Sequence, residues 1–284
     1  MGITVAVVAQ GMMGAGVGRR LHERGATVRT LLSGRSEASA ERAKTAGMTP
    51  VADEGELLSG ADFMLSILPP DQAEGLASRL APALQSLPAK PVYVDCNAIS
   101  PQTAGRVAAI VQPTGTTFVD GGIIGGPPRE GYSPAIYASG PQAERTAALK
   151  GYGIDWRIID GPIGAASGLK MSYAGITKGT TAIAAAMLLG AARFGCAEAL
   201  IAELSSSQPE MLKRMQRGIP GMYDKAYRWV GEMEEISDFL DANAPSSDMY
   251  AAIAKLYEFL AAAEADAAPA ADNAIKTLDK VLGR

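Results

Sequence analysis

The segment Val5-Ala6-Val7-Val8-Ala9-Gln10-Gly11-Met12-Met13-Gly14 narrows the possible folds more than any other stretch of the chain. Ile3–Ala9 is a short apolar run rich in β-branched residues, fit for a strand buried on both faces. A glycine-containing turn follows, and then a helix on which Met13, Val17 and Leu21 recur at four-residue spacing and should face a sheet. A strand, a glycine-rich turn and a helix in that order are the context that gives a G-x-G-x-x-G pattern its meaning as a dinucleotide loop. The pattern is degraded here. Ala9 stands where the first glycine belongs, while Gly11 and Gly14 hold the second and third places. A bare backbone at Gly11 lets a pyrophosphate approach, Gly14 permits close helix–strand packing, and the helix start at Met12 and Met13 offers free N–H groups to an anion.

The rest of the N-terminal half repeats the alternation. Thr27–Leu32, Phe63–Leu68, Val92–Asp95, Phe118–Asp120, Ala135–Ala138 and Trp156–Ile159 read as strands. Ala38–Ala46, Gln72–Leu84 and Pro101–Val111 read as helices. Such alternation predicts an α/β fold: a Rossmann domain whose doubly wound parallel sheet has helices on both faces. After Gly161 the composition shifts to Ala, Leu, Met and Glu, and the chain reads as helix to its end. The expected organisation is a dinucleotide-binding domain over 1–161 and an all-α domain for substrate and dimerisation over 162–284, with the boundary near Asp160–Gly164. Ala261–Ala271, interrupted by Pro269, predicts a connection between the last two helices.

The end of the second strand bears on which dinucleotide fits. An NAD site places a carboxylate about 20 residues past the fingerprint, on the ribose hydroxyls. Here the chain reads Leu31-Leu32-Ser33-Gly34-Arg35-Ser36. Arg35 is a forked donor suited to a phosphate monoester, flanked by the hydroxyls of Ser33 and Ser36. That is a site for the 2′-phosphate of NADP(H), with Glu37 close by as the contrary charge. A solvated loop with an incidental arginine is the plainer alternative.

Several classes are disfavoured. The 284 residues carry 26 Lys+Arg against 30 Asp+Glu, a formal charge of −4, which is the wrong sign for a nucleic-acid partner. One histidine and two scattered cysteines, Cys96 and Cys196, make neither a metal set nor a disulfide framework, and they suit a reducing cytoplasm. The N-terminal apolar run reads as a strand rather than a leader. The longest apolar helical run, Ala182–Ala192, falls short of the roughly 20 residues a bilayer needs, so a buried helix is expected and no membrane partner.

Four motifs in order resemble the β-hydroxyacid dehydrogenase superfamily, with 6-phosphogluconate dehydrogenase as a distant relative. They are the turn Gln10–Gly14; Ile67-Leu68-Pro69-Pro70, like the family's segment lining the cofactor groove; Val94-Asp95-Cys96-Asn97-Ala98-Ile99-Ser100-Pro101; and Gly164-Ala165-Ala166-Ser167-Gly168-Leu169-Lys170-Met171-Ser172-Tyr173. The resemblance covers about residues 3–200. It implies cofactor contacts at Leu68 and Pro69, a catalytic lysine at Lys170, a small-molecule substrate and a homodimer. Departures are equally plain. Asn97 and Ala98 replace a Ser-Thr pair, Ile124-Gly125-Gly126 lacks the family's serine, and Tyr173, Ala174 and Thr177 replace polar or acidic residues of the lysine helix. A sugar phosphate and oxidative decarboxylation are therefore disfavoured.

Hydride transfer needs a group that exchanges a proton with the substrate. His22 lies on the outer part of the first helix, a surface or packing position. Lys170 is the better candidate, because an ammonium also polarises a carbonyl or stabilises an alkoxide. Tyr173 projects from the same helix face three residues on and can share the proton or simply pack. Lys178 reads as solvated, with a substrate carboxylate as its alternative partner. Asn97 at a strand's carboxyl end is expected to meet substrate or the nicotinamide ribose of the cofactor, and the backbone of Gly125 and Gly126 and the loop residue Arg129 complete the expected substrate contacts. The reading is an NADP(H)-dependent oxidoreductase acting on a small β-hydroxyacid-like hydroxyl or carbonyl compound. Imine reduction is the alternative within enzymes, and a non-catalytic NADP(H)-binding sensor the alternative outside them.

Overall fold

The computed structural model describes residues 2–240, 244–265 and 269–284. Eight strands form one sheet: β1 (Thr4–Val8), β2 (Thr27–Leu31), β3 (Thr49–Val51), β4 (Phe63–Ser66), β5 (Val92–Asp95), β6 (Phe118–Ile124), β7 (Ala135–Ser139) and β8 (Asp155–Ile158), in the order β3-β2-β1-β4-β5-β6-β7-β8. All neighbours are parallel except β6 and β7. The helices are α1 (Met12–Glu23), α2 (Glu37–Thr45), α3 (Glu54–Leu58), α4 (Ala73–Ser86), α5 (Pro101–Val111), α6 (Ala165–Arg193), α7 (Ala197–Ser207), α8 (Pro209–Gly218), α9 (Ala226–Phe239), α10 (Ala244–Ala261) and α11 (Pro269–Val281).

The period of two in the strands builds the doubly wound sheet. Val5 and Val7 join Val17 and Leu21 of α1 and Ala43 of α2 in one core. Ala6 and Val8 join Leu57 of α3, Leu80 of α4 and Val107 of α5 in the other. Each buried Leu or Val side chain contributes roughly 1.5–3 kcal/mol of transfer free energy, so both faces need their helical cover.

Two elements escape the pattern expected from sequence. The edge strand β3 has only three residues and contains Pro50, which the sheet tolerates at an edge, where a missing N–H costs no ladder bond. The short α3 is set by Asp53, whose side chain accepts the Glu56 N–H at 2.8 Å, while Glu56 accepts the Ala52 N–H at 2.8 Å. β7 turns back antiparallel because the loop from Gly125 to Pro134 holds no crossover helix, and parallel neighbours require one.

The chain divides into two compact units, Met1–Met171 and Ser172–Arg284. The second is helical among its described residues. In it, Trp229 of α9 meets Tyr257 of α10 edge-to-face at 5.3 Å, and the buried Tyr257 hydroxyl donates to the Lys178 carbonyl of α6 at 2.6 Å. Tyr250 of α10 lies against Gly175 and Gly179, where an added Cβ would come within 3.0 Å of its hydroxyl. The single helix α6 replaces the expected short apolar one. Its length and composition would let it cross a membrane, but Ala174, Ala182, Ala185 and Leu188 are buried within the protein. Pro269 opens α11 instead of interrupting a connection, at the first helical position, where proline lacks no needed N–H. The remainder of the expected connection, residues 266–268, lies outside the described residues.

Candidate functional site

The carboxyl ends of β1, β2, β4, β5 and β6 share one edge of the sheet, because these strands run parallel. That edge carries the turn at Gly11, the loop Ser33–Ser36, the segment Leu68-Pro69, Asn97 and the pair Gly125-Gly126. Open α/β sheets bind ligands at this edge.

Gly11 is the N-cap of α1, with no side-chain cap, and is exposed, with nothing within 4 Å of an added Cβ. The helix starts at Met12, half exposed, and Met13, half-buried, with no acidic residue in the first turn. A helix start leaves its first N–H groups without intrahelical partners, and the exposed, side-chain-free turn at Gly11 leaves room for an anion beside them. Gly14 is obligatory for another reason: an added Cβ would stand 1.8 Å from the Ala9 carbonyl oxygen. The turn is tied down by Gln10. Its buried side chain donates to Leu31 O at 2.9 Å and to Thr30, and Arg42 donates to its carbonyl at 2.8 Å. Neither role was read from the sequence, because both partners sit on the next strand–helix pair. These features fit a dinucleotide phosphate at the turn.

Ser33 is exposed, and Ser36 caps α2, accepting the Ser39 N–H at 3.3 Å. Arg35 is half-buried and lines a cleft of about 280 Å3. Burial and the Arg79 guanidinium lower its pKa from the ordinary value, though a guanidinium stays charged near neutrality.

Asn97 departs from its expected role. It is fully buried. Its amide nitrogen donates to Ser66 at 2.8 Å and Asp95 at 3.0 Å, and its amide oxygen accepts the Leu68 N–H. Both amide donors are engaged inside the protein, so Asn97 positions the Leu68-Pro69 segment rather than reaching for a ligand. The Gly126 N–H likewise donates to the Tyr132 hydroxyl at 3.2 Å, and Gly125 holds φ +130° against that hydroxyl. Arg129 is exposed, 5.1 Å above the Tyr132 ring. Its loop is held to α1 by Arg20, which donates to Arg129 O at 2.8 Å.

Lys170 lies on α6 at the carboxyl end of β6. An added Cβ at Gly122 would fall 3.2 Å from Lys170 Cβ and 2.7 Å from Ala166 O. Tyr173, one turn along the helix, is half exposed. His22 is exposed, with its ring against Gly47. Lys178 is not solvated. It forms an ion pair with Glu232 and lies 4.9 Å above the Trp229 ring, with both ion-pair side chains about 15% exposed.

The residue the sequence did not single out is Asp120. Buried on β6, it accepts from Ser139 Oγ at 2.9 Å, the Gly164 and Ser167 N–H groups at 3.0 Å each, and Ser167 Oγ at 2.5 Å. Ser139 in turn accepts the Ala166 N–H at 2.9 Å. The first turn of the lysine helix is therefore capped by two strands of the sheet. Burial pushes the Asp120 pKa up, against the pull of those hydrogen bonds.

Residues 4–150 match the family described as the NAD binding domain of 6-phosphogluconate dehydrogenase, and residues 191–260 match a domain described as of unknown function. The chain belongs to this family of NAD(P)-dependent oxidoreductases and takes a nicotinamide dinucleotide as cofactor. An uncharacterized 28.5 kDa protein in the 7S RNA 5′ region of Methanothermus fervidus is 27% identical over 214 residues, 75% of this chain and 81% of that protein. A conserved protein of unknown function, whose structure is described as similar to 3-hydroxyacid dehydrogenases, is 29% identical with a TM-score of 0.71, covering 94% of this chain and all of that one. Mycobacterium tuberculosis 3-hydroxyisobutyrate dehydrogenase with L-serine shares the fold at TM-score 0.74 and 20% identity, over 98% of this chain and 99% of that one. An imine reductase from Myxococcus stipitatus in complex with NAD+ does so at 0.56 and 17%, over 99% and 100%.

Asp120 supplies a test of the site's scaffold. Asp120→Asn keeps an oxygen for the three donors and turns the Ser167 hydroxyl into an acceptor, so the variant should fold. Asp120→Ala orphans two N–H groups and two hydroxyls and should lose several kcal/mol, given about 1–3 for each buried orphan. Because the folded pKa is raised, ionising Asp120 opposes folding. Its stabilising contribution is full below the unfolded carboxylate pKa and is lost as pH rises through the folded one. In urea melts the stability of the native chain relative to Asp120→Asn should therefore increase from neutral pH to mild acid, and a constant difference would refute the shift.

Proposed function

We propose that the chain is an NADP(H)-dependent oxidoreductase that interconverts a hydroxyl and a carbonyl on a small β-hydroxyacid-like molecule. The observation that carries this reading is Lys170. It is fixed at the carboxyl end of β6 by the Asp120-capped start of α6, on the ligand-binding edge of the sheet. The bound nicotinamide supplies or accepts the hydride. Lys170 gives the proton to the substrate oxygen in reduction, or takes it in oxidation, and its positive charge stabilises the oxyanion. Tyr173, on the same helix face, donates a hydrogen bond to that oxygen. Arg129 at the loop tip meets a substrate carboxylate. The hydroxyacid and imine relatives share the fold; retention of Lys170 favours the oxygen substrate over the imine, and its setting favours an enzyme over a sensor. Both cysteines are free thiols, in keeping with a cytoplasmic setting.

The working assembly in this reading is a homodimer whose interface is carried by the helices after Gly161. Tyr173, Ile176, Ile183 and Met187 of α6 are between 49% and 68% exposed, their spacing of three, seven and four residues keeps them on one stripe, and Phe194, in the turn just past the helix, is 81% exposed. An isologous pairing covers that stripe on both copies. Light scattering at micromolar concentration should give a dimer, and a stable monomer would count against it.

Cofactor choice is read by fluorescence titration. NADPH should bind tighter than NADH, and Arg35→Ala should weaken NADPH far more than NADH, because only NADPH carries the phosphate that loses its charge-assisted contact. Equal or tighter binding of NADH by the native chain would sink the NADP(H) reading.

Turnover is tested with NADPH against a panel of aldehydes, keto acids and imines. Lys170→Met keeps the apolar stem and should lower turnover by roughly two to four orders of magnitude, the usual worth of general acid–base assistance. NADPH binding and the melting temperature should stay near native. A folded variant with near-native activity would remove Lys170 from the mechanism.

A further inference from the structure

The cleft beside Arg35 contains a second guanidinium. Arg79 of α4 lines it together with Arg35, Leu68, Asp71, Gln72, Gly75 and Leu76. Gly75, Leu76 and Arg79 fall on one face of α4 by their spacing. Two cations brought together in one cleft repel, and Arg79 is one of the causes that lower the Arg35 pKa. Arg79 has a partner, Glu54 at the start of α3, at 3.2 Å, with side chains 47% and 34% exposed. Such a solvated pair is weak and easily exchanged.

The position selects the ligand class. The cleft sits at the end of β2, next to the strand whose turn offers N–H groups to a pyrophosphate. In this fold that is where the adenosine ribose lies. Leu68 and Leu76 give an apolar floor for a base, and two forked cations match a dianion with three terminal oxygens better than they match a neutral ribose hydroxyl. We infer that Arg79 is the second arm of the 2′-phosphate site: it leaves Glu54 and, together with Arg35, grips the phosphate monoester, so that Glu54 holds Arg79 in place until the ligand arrives. The inference rests on the NADP(H) reading above and names a selectivity residue that reading does not contain.

The test is calorimetric titration of the full chain with NADPH, NADH and adenosine 2′,5′-diphosphate. Arg79→Gln should weaken NADPH and adenosine 2′,5′-diphosphate by about tenfold or more, the usual cost of a lost charged hydrogen bond, and leave NADH within about twofold. Glu54→Gln removes the competing carboxylate and should move NADPH the other way, to a few-fold tighter binding with NADH unchanged. If Arg79→Gln weakens NADH as much as NADPH, Arg79 holds the base or the loop and the inference falls. If the native chain prefers NADPH and both variants keep that preference unaltered, the inference falls while the cofactor reading stands. If the native chain prefers NADH, both fall.

Discussion

A carboxylate buried inside a sheet is costly, and Asp120 is buried at the point where the 29-residue helix α6 meets the sheet. Its desolvation is partly offset by the N–H groups of Gly164, just before α6, and of Ser167 in its first turn, and by two hydroxyls, all directed at the same two oxygens. The benefit is reciprocal. A helix start has unsatisfied donors and a partial positive charge, and a buried carboxylate needs both. Register makes the match possible: β6 and β7 run antiparallel with Asp120 directly opposite Ser139, which lets Ser139 take the Ala166 N–H while Asp120 takes its neighbours. The one antiparallel pairing in the sheet thus serves the helix that bears Lys170.

Close approach of backbone to backbone does the rest of the positioning. A Cβ at Gly121 would lie 2.6 Å from Asp95 O, and one at Gly122 would lie 2.7 Å from Ala166 O. Bare backbone at these two positions lets β6 sit against the end of β5 on one side and the first turns of α6 on the other. Gly14 does the same for α1 and the end of β1. The ligand edge is therefore assembled from strand ends and helix starts at near-minimal separation, with the polar side chains Gln10, Asn97 and Asp120 locking the joints.

The parts of this arrangement that were legible in the sequence are the local ones. The apolar run of the first strand, the glycine turn after it, the helices at α2 and α5 and the helical C-terminal half depend on neighbours in the chain, and local pattern reports them. β3 was invisible because three residues with a proline carry no period, and the five residues of α3 are too few to show one. The polar joints were misread for a different reason. Asn97 sits where ligand residues sit, and only the positions of Ser66 and Leu68 show that its amide points inward. Lys178 looked solvated because its partner Glu232 is 54 positions away. Asp120 drew no attention because Ser139, Gly164 and Ser167 stand 19, 44 and 47 positions from it.

These misreadings share a physical cause that bears on how the site divides its labour. A polar residue near a ligand edge has two ways to satisfy itself, a ligand or a protein partner, and burial decides between them. Asn97 and Asp120 are essentially sealed from solvent, and each is engaged by several protein donors or acceptors, so they act on the chemistry only by holding other residues. Arg35 is half-buried and Arg129 exposed, and such groups can change partner at small cost. In the proposed reading, selectivity resides in such solvent-accessible charges on loops and helix faces, which can vary without disturbing the core. The position of Lys170, the proposed proton donor, resides in buried hydrogen bonds, which cannot. A chain built this way can change its cofactor preference or substrate at the edge while the sheet keeps Lys170 in one place.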